Sequence, residues 1–430
     1  MRSWLTAIPM PYRWKRTLLV VVSLLLGVVA CPFGLGLCCN LQYLFMFDRY
    51  GTTALLLNLV LLVLLLAGGG TLLWHIRQSL GGRASRPVRL PPMWLLVGIF
   101  ALLVLISVRL SSSFLFAFFL PVMATLPPLW ALSWFMRGQP GGFTWRRGVP
   151  AFVGGATLGV FIALILNMLL PLFFIVLIRN LAEPLFTNLG DLLTHLANQQ
   201  IADALTNPGL VFLLIQVAVV APLVEEVAKP LATLPLVGRL PRREAFLVGA
   251  AAGVGFAAVE NILYAASGYG FWRNFWVGVL LLRSIGAVHP LGSGLMALAW
   301  RDLFNGEPGA RRAWLRRFAV AAGMHALWNG GLTVVTVLAG AEFFGQLPPE
   351  LDLLGVSMGG VTLALIIVLG LTSLWLGRSI AQQAQQPELR LEAAPDARLI
   401  LSDRALVVWA LLCLVALVPL GITTLQLVLR

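Results

Sequence analysis

Charged side chains are scarce in this sequence: they make up 11% of 430 residues, against roughly 25% in a soluble domain. So little charge excludes a soluble enzyme built around one compact core. Lysine occurs only at Lys15 and Lys229. Cysteine is limited to Cys31, Cys38, Cys39 and Cys413, whose spacing fits neither a disulfide framework nor a thiolate metal site. Residues 28–31 read Val-Val-Ala-Cys behind a basic start and an apolar run, which loosely matches a lipoprotein cleavage site. Such short matches arise easily in apolar sequence, and a packed apolar cysteine is the simpler reading. Alternating apolar and polar residues, the mark of a membrane β-barrel, are missing as well.

What is abundant is continuous apolar sequence. Hydrophobic residues reach 59%, mean hydropathy is +0.91, and runs of about 20 apolar residues, enough to cross a bilayer as helices, recur from end to end. They predict an all-α, polytopic membrane helical bundle of about eleven transmembrane helices. The expected cores are residues 17–38, 53–74, 94–110, 114–136, 151–178, 210–236, 246–267, 275–300, 318–340, 353–377 and 405–428. The net charge of +13 invites a nucleic-acid reading until the charges are placed. With a cytoplasmic N-terminus, 23 of the 30 Lys and Arg fall on the cytoplasmic side, against Arg49, Arg179, Arg273 and Arg430 outside. That asymmetry is the positive-inside signature of membrane topology and argues against a nucleic-acid partner. The loop 179–209 is amphipathic and is expected to rest on the membrane surface. Residues 378–404 read as a linker to the last helix. Three regions follow: N-terminal membrane helices of unassigned role over 1–178, a core over 179–345, and C-terminal membrane helices with a cytoplasmic linker over 346–430.

Ionisable groups inside hydrocarbon are costly and mark function by default. Of seventeen carboxylates, only Glu225, Glu226 and Glu260 fall deep in the expected spans, together with two of the four histidines, His289 and His325. At about 1.5 Å of rise per residue, Glu225 and Glu226 lie roughly 15 Å from the cytoplasmic ends, Glu260 roughly 20 Å, His289 roughly 16 Å and His325 roughly 10 Å. Four consecutive antiparallel helices thus carry them to similar depth. Glu225 and Lys229 stand four apart on one face and are expected to pair, with Glu226 pointing elsewhere. His325 and Asn329 also share a face. Pro290, after His289, is expected to kink its helix. The bland alternatives are a structural Glu–Lys pair and a core histidine bonded to a carbonyl, but they do not account for five groups at one depth.

Cutting a peptide bond in a membrane needs an activated water and an oxyanion stabiliser. A desolvated carboxylate can act as general base, and an imidazole or Asn amide can stabilise the oxyanion. One Glu and two His can instead hold zinc, with another Glu as base. The spacing leaves both versions open. An aspartyl mechanism would need two deep aspartates, and there are none. The His-Glu-x-x-His motif is missing. A dyad of Ser293 and His289 would leave three deep glutamates unexplained.

The motifs Glu225-Glu226-x-x-Lys229, Phe256-x-x-x-Glu260-Asn261, His289 and His325, one per consecutive helix over roughly 205–345, resemble the PrsW family of intramembrane proteases, within the broader superfamily of CAAX prenyl endopeptidases. The resemblance implies an intramembrane peptidase of glutamate or metal-dependent type acting on a membrane protein or peptide in the bilayer. It implies Glu226 or Glu225 as the base that activates water. Glu260, His289 and His325 would be metal ligands or polarising groups, with one divalent metal such as zinc or a metal-free mechanism. His325-x-x-x-Asn329 resembles the last motif of the CAAX group, where Asn helps bind the oxyanion. Glu260 stands where that group has His, which favours PrsW. The family further implies clipping of an anti-sigma factor in a bacterial cytoplasmic membrane. The rival classes are a proton-coupled transporter, since buried Glu and His also build proton relays, and a non-catalytic membrane scaffold. Confinement of the polar groups to helices six to nine, with no counterpart in the first half, counts against transport. The oligomeric state is not legible.

Overall fold

The structure is a computed structural model, and it describes residues 51–80, 85–110, 113–137, 143–177, 182–198, 200–231, 233–237, 240–271, 275–285, 287–346 and 357–384. The candidate lipoprotein site at Cys31, the other three cysteines, the first and last apolar segments and most of the linker lie outside the described residues.

Among the described residues there is no strand, only an isolated bridge between Pro87 and Thr144. Helices α1 (Gly51–Leu80), α2 (Met93–Leu110) and α3 (Ser113–Met136) come first. α4 (Trp145–Gly154) passes through a π-turn at Gly155–Gly159 into α5 (Val160–Leu177). α6 (Ala182–Ala197) and α7 (Ile201–Thr206) form the amphipathic loop. α8 (Pro208–Ile215) continues through a second π-turn, Gln216–Val220, into α9 (Ala221–Leu231). After the short α10 (Leu234–Val237) come α11 (Arg242–Phe271), α12 (Phe275–Ser284), α13 (Val288–Phe304) and α14 (Ala310–Ala326). A third π-turn, Leu327–Gly331, joins α14 to α15 (Leu332–Phe343), and α16 (Met358–Gln383) follows.

Among the described residues, seven helical runs are long and apolar enough to cross a membrane, or eight if α12 and α13 form one broken span. Within the same residues, helices occupy most of each expected segment from the second to the tenth, although Met93–Arg109 is short for a span. The segment expected over 275–300, with a kink at Pro290, is bent by 43°, but the bend lies between Ser284 and Val288. Pro290 does not cause this bend. It lies in the first turn of α13, where its missing N–H has no intrahelical partner to lose.

The centre of the bundle is α11, whose span is 89% buried. Its small residues explain why. Gly249 and Gly253 are four apart on one face, and a Cβ on either would collide with the backbone carbonyl of Ser293 or His289 on α13. Gly255 faces the other way, onto the Phe152 carbonyl of α4, and Gly155 meets Ala252 in return. Small residues of this kind let membrane helices approach to backbone contact. Buried Phe135, Phe246, Leu120 and Leu280 fill the gaps around them. Val63, Trp94, Leu102, Leu315 and Trp375 are exposed on the bundle's outside, as a lipid-facing surface requires. α13 is held against α11 along its length and is buried almost throughout, which fixes the position of His289.

Candidate active site

α9 turns two faces to its surroundings. Leu223 and Val227, four apart, are exposed, while Glu225, Glu226, Lys229 and Leu231 are buried. Glu226 and Lys229 are wholly inaccessible. Such charges are tolerable only if they are paired, and they are. Lys229 Nζ lies 2.7 Å from Glu226 Oε1 and 3.3 Å from Glu225 Oε2. The expected pair of Lys229 with Glu225 is present, but Glu226 does not point elsewhere and pairs with Lys229 as well. Residues three and four apart share one helical face, and the closer partner is Glu226.

The other helices close the centre. His325 of α14 brings Nδ1 to 3.0 Å from Glu226 Oε1 and Nε2 to 3.6 Å from Glu225 Oε2. His289 of α13 has Nδ1 2.8 Å from Lys229 Nζ and Nε2 2.7 Å from Glu260 Oε2. The two imidazole rings stand edge to face, 4.8 Å between centroids. All five deep groups expected from sequence meet in one buried cluster, with Asn329 at its edge.

The hydrogen bonds define the tautomers. Lys229 Nζ can only donate, so His289 Nδ1 accepts from it, which leaves the ring proton on Nε2, 2.7 Å from Glu260 Oε2 and 3.3 Å from Arg283 Nη2. Glu226 Oε1 can only accept, so His325 donates to it from Nδ1, and His325 Nε2 accepts from Asn329 Nδ2 at 2.9 Å. Each imidazole thus has one nitrogen beside a carboxylate, while the other meets Lys229 in His289 and Asn329 in His325. Glu226 Oε2 is buried without a hydrogen-bond partner. Gly292 makes room for it, since a Cβ there would stand 2.5 Å from that oxygen.

Chemically, this set fits a divalent ion. Glu225, His289 and His325 each offer a donor atom, all within 4.8 Å of one another. Two imidazoles and one carboxylate are a common catalytic zinc set, and carboxylates behind the imidazoles are what orients metal-binding histidines. Among the described residues, the three carboxylates share two cationic partners, Lys229 and Arg283, so the centre has room for more positive charge. One detail differs from the sequence expectation. The metal-ready trio contains Glu225, whereas Glu260, expected as a ligand, sits behind His289. The Ser293–His289 dyad gains no support, because Ser293 Oγ is buried without a hydrogen-bond partner.

Sequence reasoning passed over several contributors. Arg283, at the end of α12, lies 2.7 Å from Glu260 Oε2 and donates to Asn261 Oδ1 at 2.7 Å. Its guanidinium also lies 4.4 Å from the centre of the Tyr264 ring. The signal was present, since an arginine inside an apolar run carries the same burial cost as the deep glutamates. Asn167 of α5 donates to Glu225 Oε1 at 3.4 Å, and Gln216 in the second π-turn donates to the Asn167 carbonyl. Neutral amides give no charge signal, so nothing in the sequence marks them.

A carboxylate–imidazole centre buried between membrane helices suits a membrane-embedded hydrolase, though proton relays use the same groups. The family comparison points to the hydrolase: the family model for PrsW family intramembrane metalloprotease matches residues 144–369, more than half of the chain, and the chain belongs to that family. It is an intramembrane peptidase. The match extends beyond 179–345 in both directions, taking in α4 and α5, whose Gly159 packs near Lys229 and whose Asn167 reaches Glu225. Searches of curated proteins and of solved structures give no match.

Proposed function

We propose that the chain cleaves membrane-associated protein substrates at the buried centre, with Glu226 as general base and Glu225, His289 and His325 as the ligands of one divalent ion such as zinc. The observation that carries this reading is the convergence of three donor atoms within 4.8 Å beside a carboxylate oxygen, Glu226 Oε2, that has no partner. A divalent ion held by the trio would supply Lewis acidity and acidify a bound water. Lys229 must release His289 Nδ1, and Asn329 must release His325 Nε2, for a cation to reach those nitrogens.

The chain's own groups do the rest. Glu226 Oε1 is anchored by Lys229 and His325, which leaves Oε2 to take a proton from the attacking water and deliver it to the leaving amine. Glu260 holds the His289 ring through Nε2–H, and Arg283 holds Glu260. Asn329 stands beside His325 Nε2 with an amide that can donate to the developing oxyanion. Burial of the whole set excludes bulk water and strengthens each of these interactions.

The wider reading keeps eleven spans, a cytoplasmic N-terminus and a bacterial cytoplasmic membrane. It places the catalytic core over 179–345, flanked by the membrane helices of 1–178 and 346–430. The substrate class is that of a membrane-bound anti-sigma factor, an inference from the family alone. The test is cleavage of a membrane-anchored substrate in proteoliposomes by wild type, Glu225→Gln, Glu226→Gln and His325→Ala. All three variants should insert and fold but lose cleavage. Full proteolysis by all three would refute the assignment.

A further inference from the structure

Two apolar stretches beside the centre each carry a single polar side chain. Between Val160 and Leu177 it is Asn167 of α5, and between Leu210 and Val224 it is Gln216, which opens the π-turn leading into α9. The fold brings the two together. Gln216 Nε2 donates to the Asn167 carbonyl at 3.1 Å, and Asn167 Nδ2 donates to Glu225 Oε1 at 3.4 Å. A carbonyl and an ionised carboxylate can only accept, so both amides turn their nitrogens to these partners. Their oxygens face elsewhere: Asn167 Oδ1 and Gln216 Oε1 are buried and have no hydrogen-bond partner among the described residues. This side of the bundle is also open to lipid. The span through α8 and α9 is 22% buried, against 89% for α11. Ile215, next to Gln216 in sequence, and Leu169, near Asn167, are exposed.

We infer that Asn167 Oδ1 and Gln216 Oε1 accept backbone N–H groups of the substrate, from a stretch that has left its helix to reach the centre. The inference rests on the proposed function and names groups of that same site that hold the substrate. A membrane-spanning helix satisfies its N–H groups internally, and hydrocarbon offers no replacement partner when a stretch unwinds. A scissile bond inside a helix is shielded by the surrounding turns, so it must leave them to be attacked. Fixed acceptors beside the centre offset the cost of baring those N–H groups. A role as glue between α5 and α8 explains the two donated bonds. It does not explain two buried oxygens left without partners, each of which costs stability. The placement fits as well. Asn167 touches Glu225, and Gln216 lies nine residues before Glu225, about 13 Å along the helix axis. The two amides therefore lead from the centre toward the start of α8.

The test uses the full chain in proteoliposomes. The probe is a synthetic membrane-spanning peptide of Leu and Ala with a Gly-Gly centre that weakens its helix. Binding is read by fluorescence transfer to a label on the peptide, and cleavage by mass spectrometry. Each backbone N–H around the Gly-Gly centre is replaced in turn by an ester oxygen, which removes one donor and keeps the side chains. In wild type, an ester at the position facing either oxygen should weaken binding about fivefold. In Gln216→Met and Asn167→Leu the unmodified peptide should bind more weakly, and the matching ester should cost nothing further. The ester-to-amide ratio is taken within each variant, so a less stable variant still gives a reading. Gln216→Asn, which withdraws the oxygen by one methylene, serves as the second variant and should lose most of the ester penalty. Equal ester penalties in wild type and variants, or no binding of the peptide by wild type, would overturn the inference. Ester-dependent binding without cleavage would uphold the acceptors and count against the catalytic roles proposed above.

Discussion

At the scale of single residues, the centre depends on mutual compensation. Lys229 is the ammonium that both glutamates of α9 share, and it has no access to water. Lys229→Met would leave two buried carboxylates short of a cation, and breaking a buried pair in this way costs about 3–5 kcal/mol. Thermal unfolding in detergent should show that loss, with partial recovery on adding a divalent cation. Gly292→Ala tests the room left for Glu226 Oε2. The added methyl must push the carboxylate aside, and a misplacement near 1 Å costs on the order of 10²-fold in rate. The turnover number should fall by that order with little change in folding, as measured by cleavage and by thermal midpoint. All five deep ionisable groups could be read from the sequence, because burial of charge in an apolar run is visible in composition. The Glu225–Lys229 pair could be read from its spacing, but the rest of the pairing could not. That Lys229 also meets Glu226 depends on rotamers, and its contact with His289 joins residues 60 apart in sequence.

At the scale of elements, the helices were legible and their irregularities were not. Length and hydropathy suffice to place spans, so each expected segment among the described residues lies on a helix. The break before His289 and the three π-turns leave no mark in average hydropathy. Two of those turns flank the site: Gln216–Val220 precedes the glutamate pair and Leu327–Gly331 carries Asn329, and π-bulges are often found at functional sites. The break between α12 and α13 is bridged by Arg283, which ties the end of α12 to Glu260 and Asn261 of α11. Arg283→Met should therefore loosen His289 indirectly. The expected outcome is a lower thermal midpoint together with a slower, not abolished, cleavage rate. Gly253→Ala acts on the same junction from the other side, by driving a methyl into the His289 carbonyl. Overpacking of this kind costs about 1–3 kcal/mol and should appear as reduced thermal stability.

At the scale of the whole molecule, arginine placement predicts topology and the buried centre predicts chemistry. The ends carrying Arg242 and Arg243, Arg311 to Arg317, and Arg378 should all be reached by a membrane-impermeant cysteine reagent from the cytoplasmic face only, after single cysteines are introduced beside them. Labelling of any of the three from the opposite face would break the assumed orientation. The proposed ligands of a divalent ion are Glu225, His289 and His325. Elemental analysis of the purified chain in lipid tests this assignment most directly: the wild type should hold about one divalent ion per chain, Glu225→Gln, His289→Ala and His325→Ala should lose it, and Glu260→Gln should retain it more weakly. A fully active wild type without bound metal, or a full complement of metal in all three ligand variants, would contradict the account.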